Sequence, residues 1–184
     1  MRHEFVATAE DSLLLIIDVQ EAMAKVMGRM EATVHRINQL IESTRVLDIP
    51  VLLTEQYRKG LGATVVEVKV DLAANPAFHK EHFSACLEDG FLETVRRFDR
   101  GKIVIAGMET HVCVLQTALD LIASGYQVHL VTNGVASRFK EDWETAVELL
   151  RDAGAVITTA EIVIFQWARR ANTEGFKRLL PIVK

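Results

Sequence analysis

Short, continuous apolar runs alternate along this chain with stretches whose apolar residues recur every three or four positions. The first run, Leu13-Leu14-Leu15-Ile16-Ile17, ends in Asp18 and reads as a strand buried on both faces. Val34, Ile37, Leu40, Ile41 and Leu47 then predict a helix over residues 31–47. Pro50 ends it and introduces a second strand, Val51-Leu52-Leu53-Thr54. Phe78 to Phe83 forms a weaker third strand, and Leu87, Phe91, Val95 and Phe98 space as a helix stopped by Gly101. Ile103-Val104-Ile105-Ala106 is the fourth strand, followed by a helix carrying Val112, Leu115, Leu119 and Ile122 and closed by Gly125. Residues 127–131 form the fifth strand, Trp143 to Ala153 the next helix, Ala155–Thr158 the sixth strand, and the tail from Glu161 is helical.

Strands separated by helices are the signature of βαβ units. With right-handed crossovers they build an α/β fold: one three-layer αβα domain over residues 1–184, around a mostly parallel, Rossmann-like sheet. No repeat or linker divides the chain. Asn133-Gly134 is also compatible with a hairpin turn, but the second arm is short, so a loop after the fifth strand is preferred.

Composition narrows the class. Among 184 residues 49% are apolar, which supports a large core, and a slightly positive mean hydropathy hints at a buried subunit interface. A net charge of −4 gives no electrostatic reason to expect nucleic acid or an anionic membrane as partner. No apolar run approaches the ~18 residues of a membrane span. Two cysteines, Cys86 and Cys113, make no disulfide framework, and the N-terminal residues lack the pattern of a signal or transit peptide. A cytoplasmic protein is the expectation.

In parallel α/β sheets ligands bind beyond the carboxyl ends of the strands. Asp18 follows the first strand there, Glu55 and Gln56 the second, Lys80 lies on or after the third, Met108 to Cys113 follow the fourth, and Asn133 the fifth. A carboxylate, an ammonium and a thiol thus converge on one crevice. Cys113, at a strand-to-helix junction, faces the positive end of a helix, which favours the thiolate. Alternatively it is a small buried core residue, the reading adopted for Cys86. His79, Glu81 and His82 invite a metal reading, but His79 and Glu81 share a strand face while His82 points to the other, so no metal is expected. A dinucleotide site is excluded because Asp18-Val19-Gln20-Glu21-Ala22-Met23 lacks the glycines that admit a pyrophosphate. Gln20 also stands where a two-aspartate phosphate-transfer site would need an acid.

Three segments in order, Asp18-Val19-Gln20, Lys80-Glu81-His82-Phe83-Ser84-Ala85 and Gly107-Met108-Glu109-Thr110-His111-Val112-Cys113, resemble the isochorismatase-like cysteine hydrolases. This superfamily includes nicotinamidases and N-carbamoylsarcosine amidase, and the likeness spans Leu13 to about Ile164. It implies a six-stranded sheet of order 3-2-1-4-5-6 and a catalytic triad of Asp18, Lys80 and Cys113. It also implies a cis peptide at Met108–Glu109, aiming the amides of Glu109 and Cys113 into an oxyanion hole. Gln20, Gln56 and Asn133 become substrate-binding candidates.

Departures from the family pattern restrict the substrate. Isochorismatases proper lack the cysteine, so Cys113 argues against isochorismate. Metal-binding nicotinamidases carry Asp-x-His after the second strand, where this chain has Thr54-Glu55-Gln56-Tyr57-Arg58. The expected activity is cofactor-free, cysteine-dependent cleavage of a C–N bond in a small-molecule amide through a thioester, in a homo-oligomer (dimer or higher). A silent binding or assembly module and a redox-reactive thiol protein are the competing readings.

Overall fold

The computed structural model describes residues 2–184. After a 3-10 turn at Ala9–Asp11 the elements are β1 (Ser12–Ile17), α1 (Glu21–Ala24), α2 (Met30–Leu47), β2 (Val51–Gln56), α3 (Arg58–Leu61) and β3 (Phe78–Lys80). A second 3-10 turn, Ala85–Leu87, precedes α4 (Phe91–Arg97), β4 (Lys102–Met108) and a π-helical turn, Thr110–Val114. Then come α5 (Leu115–Ala123), β5 (Gln127–Ala136), α6 (Lys140–Asp152), β6 (Val156–Thr158), α7 (Ala160–Ala168) and α8 (Glu174–Val183).

β1 explains the architecture. None of its residues reaches solvent, and its side chains divide by parity. Leu14 and Ile16 enter a core layer with Val34, Ile37 and Leu40 of α2, Val163 and Trp167 of α7, and Leu179 of α8. Leu13, Leu15 and Ile17 enter the opposite layer with Phe91 and Val95 of α4, Ala118 and Leu121 of α5, and Val147 and Leu150 of α6. A strand apolar at every position therefore sits at the centre of a sheet with helices on both faces. The sheet has order β3-β2-β1-β4-β5-β6, and every pairing is parallel. The order reverses between β1 and β4, which is where such sheets open a crevice at their carboxyl ends.

Four local details differ from the sequence pattern. β3 stops at Lys80, because the amides of Glu81 and His82 both turn to the Glu88 carboxylate at 3.0 Å. α4 ends before Asp99, a left-handed residue (φ 53°), rather than at Gly101; aspartate tolerates that conformation better than most side chains. The helical tail is two helices, not one. Asn133-Gly134 forms neither a hairpin nor a loop after the strand: β5 continues to Ala136 through a bulge, its register with β4 shifting between Ile105 and Gly107.

Candidate active site

Asp18 leaves the end of β1 in a left-handed conformation (φ 50°), which turns its side chain across the end of β2. Its Oδ1 accepts a hydrogen bond from Thr54 Oγ1 at 2.7 Å. Its Oδ2 lies 2.8 Å from Lys80 Nζ but accepts no hydrogen bond of ordinary geometry. Lys80 belongs to β3, two strands from β1, a lateral separation of about 10 Å. Only a long side chain spans that gap, and here it passes over Gln56, its register partner on β2. Four oxygens surround the ammonium: Asp18 Oδ2, Gln56 Oε1 at 2.6 Å, and the carbonyls of His82 and Phe83 at 3.2 and 3.1 Å. The pair is almost sealed from water, Asp18 and Lys80 each being 2% exposed. A charge pair so placed is retained only with further polar partners, which Thr54, Gln56 and the two carbonyls supply.

Cys113 enters from the other side of the switch point, within the π-helical turn that follows β4. Such turns are rare and frequently accompany functional sites. The thiol is 7% exposed, 3.9 Å from Gln56 Oε1, and close enough to Asp18 and Lys80 for both charges to act on it. Val112 N and Val114 N both donate to the Glu109 carbonyl, at 3.1 and 3.2 Å. The Met108–Glu109 peptide is cis.

The electrostatics reverse one sequence-based expectation. Burial first, then the Asp18 charge, push the Cys113 thiol up to about 12, and Lys80 offsets only part of this. The resting group is a neutral thiol beside an Asp–Lys pair, not a thiolate stabilised by a helix end. Cys86 is also pushed up to about 12, by burial and by Asp120. Acidity therefore does not separate the two cysteines; their neighbours do. Cys86 donates to the Thr117 carbonyl, 3.8 Å away, and has Ser84 and Asp120 near it but no ammonium among the described residues.

Two substrate-binding candidates have other occupations. Gln20, wholly buried, donates to the carbonyls of Gln56 (3.0 Å) and Gly62 (2.7 Å) and accepts from Gln56 N (2.8 Å). Every polar atom of its side chain is used to hold the end of β2. Asn133, displaced by the bulge, accepts from Ala160 N at 2.9 Å and caps the start of α7. Gln56 does face the thiol, and its orientation is fixed because Nε2 donates to the Glu81 carbonyl at 2.7 Å.

The acids and imidazoles nearby do not gather. Buried Glu55 accepts from the amide and hydroxyl of Thr64, with Arg58 at 3.1 Å and His79 at 3.5 Å on its other oxygen, while His82 meets Glu88. Among the described residues no three His, Cys, Asp or Glu side chains are arranged to hold a metal ion. Pairing of Glu109 with Arg138 (2.9 Å) and of His111 with Ser137 (2.9 Å) escaped the sequence reading. Nothing in the spacing signals that the loop after β5 clamps the thiol-bearing turn.

A doubly wound α/β protein with a buried thiol, carboxylate and ammonium at its switch point is thus defined. The chain belongs to the isochorismatase family: the family model described as the isochorismatase domain matches residues 12–162. A secreted isochorismatase effector of Phytophthora sojae is 36% identical over 94% of this chain and 84% of its own length. Isochorismatase family protein 1B of Dictyostelium discoideum is also 36% identical, covering 95% of this chain and 87% of that one. Among solved structures, a Caenorhabditis elegans protein named MAR1 ribonuclease superposes with a TM-score of 0.88 at 33% identity, over 96% of this chain and 91% of that one.

Proposed function

We propose that this protein is a cysteine-dependent hydrolase of small amides, with Cys113 as nucleophile, Asp18 as the proton-transfer group and Lys80 holding Asp18 in place. The observation that carries the reading is the Asp18 carboxylate: buried, ion-paired with Lys80 at 2.8 Å through Oδ2, and close to a neutral thiol. A buried carboxylate held by an ammonium beside a thiol is placed to take that thiol's proton.

Asp18 Oδ2 accepts the thiol proton as Sγ forms its bond to the substrate carbonyl carbon, and the carbonyl π electrons move onto oxygen. The amides of Glu109 and Cys113 stabilise that oxyanion. Its collapse breaks the C–N bond, and Asp18 delivers its proton to the departing nitrogen, leaving a thioester. Water then attacks the thioester, Asp18 takes one of its protons, and Sγ leaves and is reprotonated as the carboxylic acid is released. Because pKa matching is needed only once substrate is bound, a resting thiol with a high pKa is compatible with this sequence and protects the sulfur from oxidation.

A thiol that must stay reduced fits the cytoplasm, which we retain as the proposed setting, although the Phytophthora relative is named a secreted effector. No helix among the described residues is long and apolar enough to cross a membrane. Assembly into a homo-oligomer is also proposed, on the exposed Val66, Leu87 and Phe139.

The decisive experiment is a screen of small amides and ureas against wild type and Cys113→Ala in parallel, with RNA included because of the nematode protein's name. Amide turnover by wild type alone, with an acyl adduct on Cys113 by intact mass, supports the reading. RNA cleavage that survives Cys113→Ala, without amide turnover, overturns it.

A further inference from the structure

Beside the thiol-bearing turn lies a pocket of about 280 Å³ that includes none of the three reactive side chains. Val135, Ala136 and Trp143 supply its apolar surface; Arg29, Arg138 and Lys140 supply its charge, and no acidic residue lines it. Two contacts join it to the site. Ala136 is the register partner of Met108, and Arg138 donates through Nε and its own amide to the buried Glu109 carboxylate, at 2.9 and 3.3 Å. The pocket thus flanks the chain four residues before Cys113.

The charges are not fully spent. Arg138 commits Nε to Glu109, which leaves its terminal nitrogens free for a second anion. Lys140 is engaged by Glu144 at 3.0 Å on the exposed surface. Arg29 enters none of the ion pairs among the described residues. A concave, partly apolar wall under two available guanidinium groups favours a small monoanion with a short apolar body. The volume lies just below the usual ~300–1,000 Å³ of ligand pockets, which suits a small organic anion.

We propose that this pocket binds the carboxylate end of a small organic amide, with Arg29 and Arg138 meeting the anion and Trp143 covering the aliphatic segment. The substrate role rests on the Cys113 reading; the binding site does not. The two arms are therefore read separately.

Trp143 and Trp167 are the only tryptophans, and Trp167 is buried in the opposite core layer, bonded to Ser12, so fluorescence reports on the pocket. Cys113→Ala protein is titrated with succinamate and with the neutral succinamide. Expected are a saturable change in emission, binding about tenfold or more tighter for succinamate, and a loss of about tenfold in Arg29→Gln. The change disappears in Trp143→Phe. Equal affinity for the two compounds, or no saturable change with succinamate, overturns the proposal. In the second arm wild type is assayed on both amides, and a higher kcat/KM for succinamate that falls in Arg29→Gln supports the substrate role. Charge-selective binding with no hydrolysis of either compound overturns that substrate role while leaving the carboxylate site, and the Cys113 reading then stands or falls on the amide screen. Hydrolysis without charge preference leaves the Cys113 reading and removes the pocket.

Discussion

Lys80 and Asp18 meet at 2.8 Å although a whole strand separates the two that carry them. Lys80 cannot approach without crossing Gln56, and Gln56 accepts from its ammonium at 2.6 Å. The charge pair is thus built across the ends of three adjacent strands, and the thiol is delivered from a fourth. The first expected consequence concerns the sign of each charge on the thiol. Asp18 raises the Cys113 pKa and Lys80 lowers it, so Asp18→Asn should make the thiol more acidic and Lys80→Met less so. Alkylation by iodoacetamide near neutral pH should speed up in Asp18→Asn, about tenfold for each unit the pKa falls. Amide turnover should be lost in the same variant, because the proposed proton acceptor is gone. A slower alkylation rate in Asp18→Asn would show that Asp18 does not govern the thiol.

Gln56 should act as a positioning residue for both Lys80 and Cys113. Its amide is held by the Glu81 carbonyl so that Oε1 faces the ammonium and the sulfur. Gln56→Glu keeps the size but places a second carboxylate beside the thiol, which should raise the thiol pKa further and slow alkylation. Gln56→Leu should leave alkylation closer to wild type while lowering kcat, since Lys80 loses one acceptor but retains Asp18. A pH profile of alkylation for the two variants separates these outcomes, and identical profiles would reduce Gln56 to a structural role.

The six strands were legible because their apolar runs differ in length and position from the periodic helices, and the sidedness of β1 follows from its sequence alone. The meeting of Asp18, Lys80 and Cys113 at the strand ends was legible in the sequence, and the cis peptide only through family resemblance. The hydrogen bonds of Gln20 and Asn133 were not legible, because position at a strand end does not say which neighbour a side chain meets. Gln20 turns to backbone that comes close only after α3 folds back, and Asn133 is displaced by a bulge that a strand pattern does not encode. The thiol pKa was misjudged for a related reason: helix position can be read locally, whereas burial and the approach of Asp18 are tertiary facts.

Gly107 should be indispensable to the switch point. It adopts φ 128°, and a Cβ there would stand 2.0 Å from the Ile17 carbonyl oxygen and 2.6 Å from Ile17 N. Both are backbone atoms of β1, one residue before Asp18, so no side-chain rotation relieves the contact. Gly107→Ala should therefore destabilise the fold by about 3 kcal/mol or more, beyond what φ strain alone would cost. Gly154, also at positive φ (99°) but with open space around it, provides the control. Gly154→Ala should cost only about 1–2 kcal/mol. Urea midpoints of the two variants that coincide would contradict the close approach of β4 to β1.

His129 should make stability depend on pH in a window unconnected with the active site. It lies wholly buried near the start of β5, its Nε2 is 3.2 Å from Gln127 Oε1, and its Nδ1 has no hydrogen-bond partner among the described residues. Burial first, and then the Lys102 charge, lower its pKa from 6.5 to about 4. The unfolded chain thus binds a proton at this histidine near pH 6.5, and the folded protein only near pH 4. Between the two the unfolded state holds more protons, so stability rises with pH across the window, is fully present above it, and is lost as pH falls toward 4. A shift of this size corresponds to about 3 kcal/mol at its full extent. Urea unfolding at about pH 7 and about pH 4.5 should show a large drop in midpoint for wild type. His129→Gln, which cannot protonate, should show a smaller drop from a lower starting stability. An equal drop in both proteins would assign the acid sensitivity to other groups.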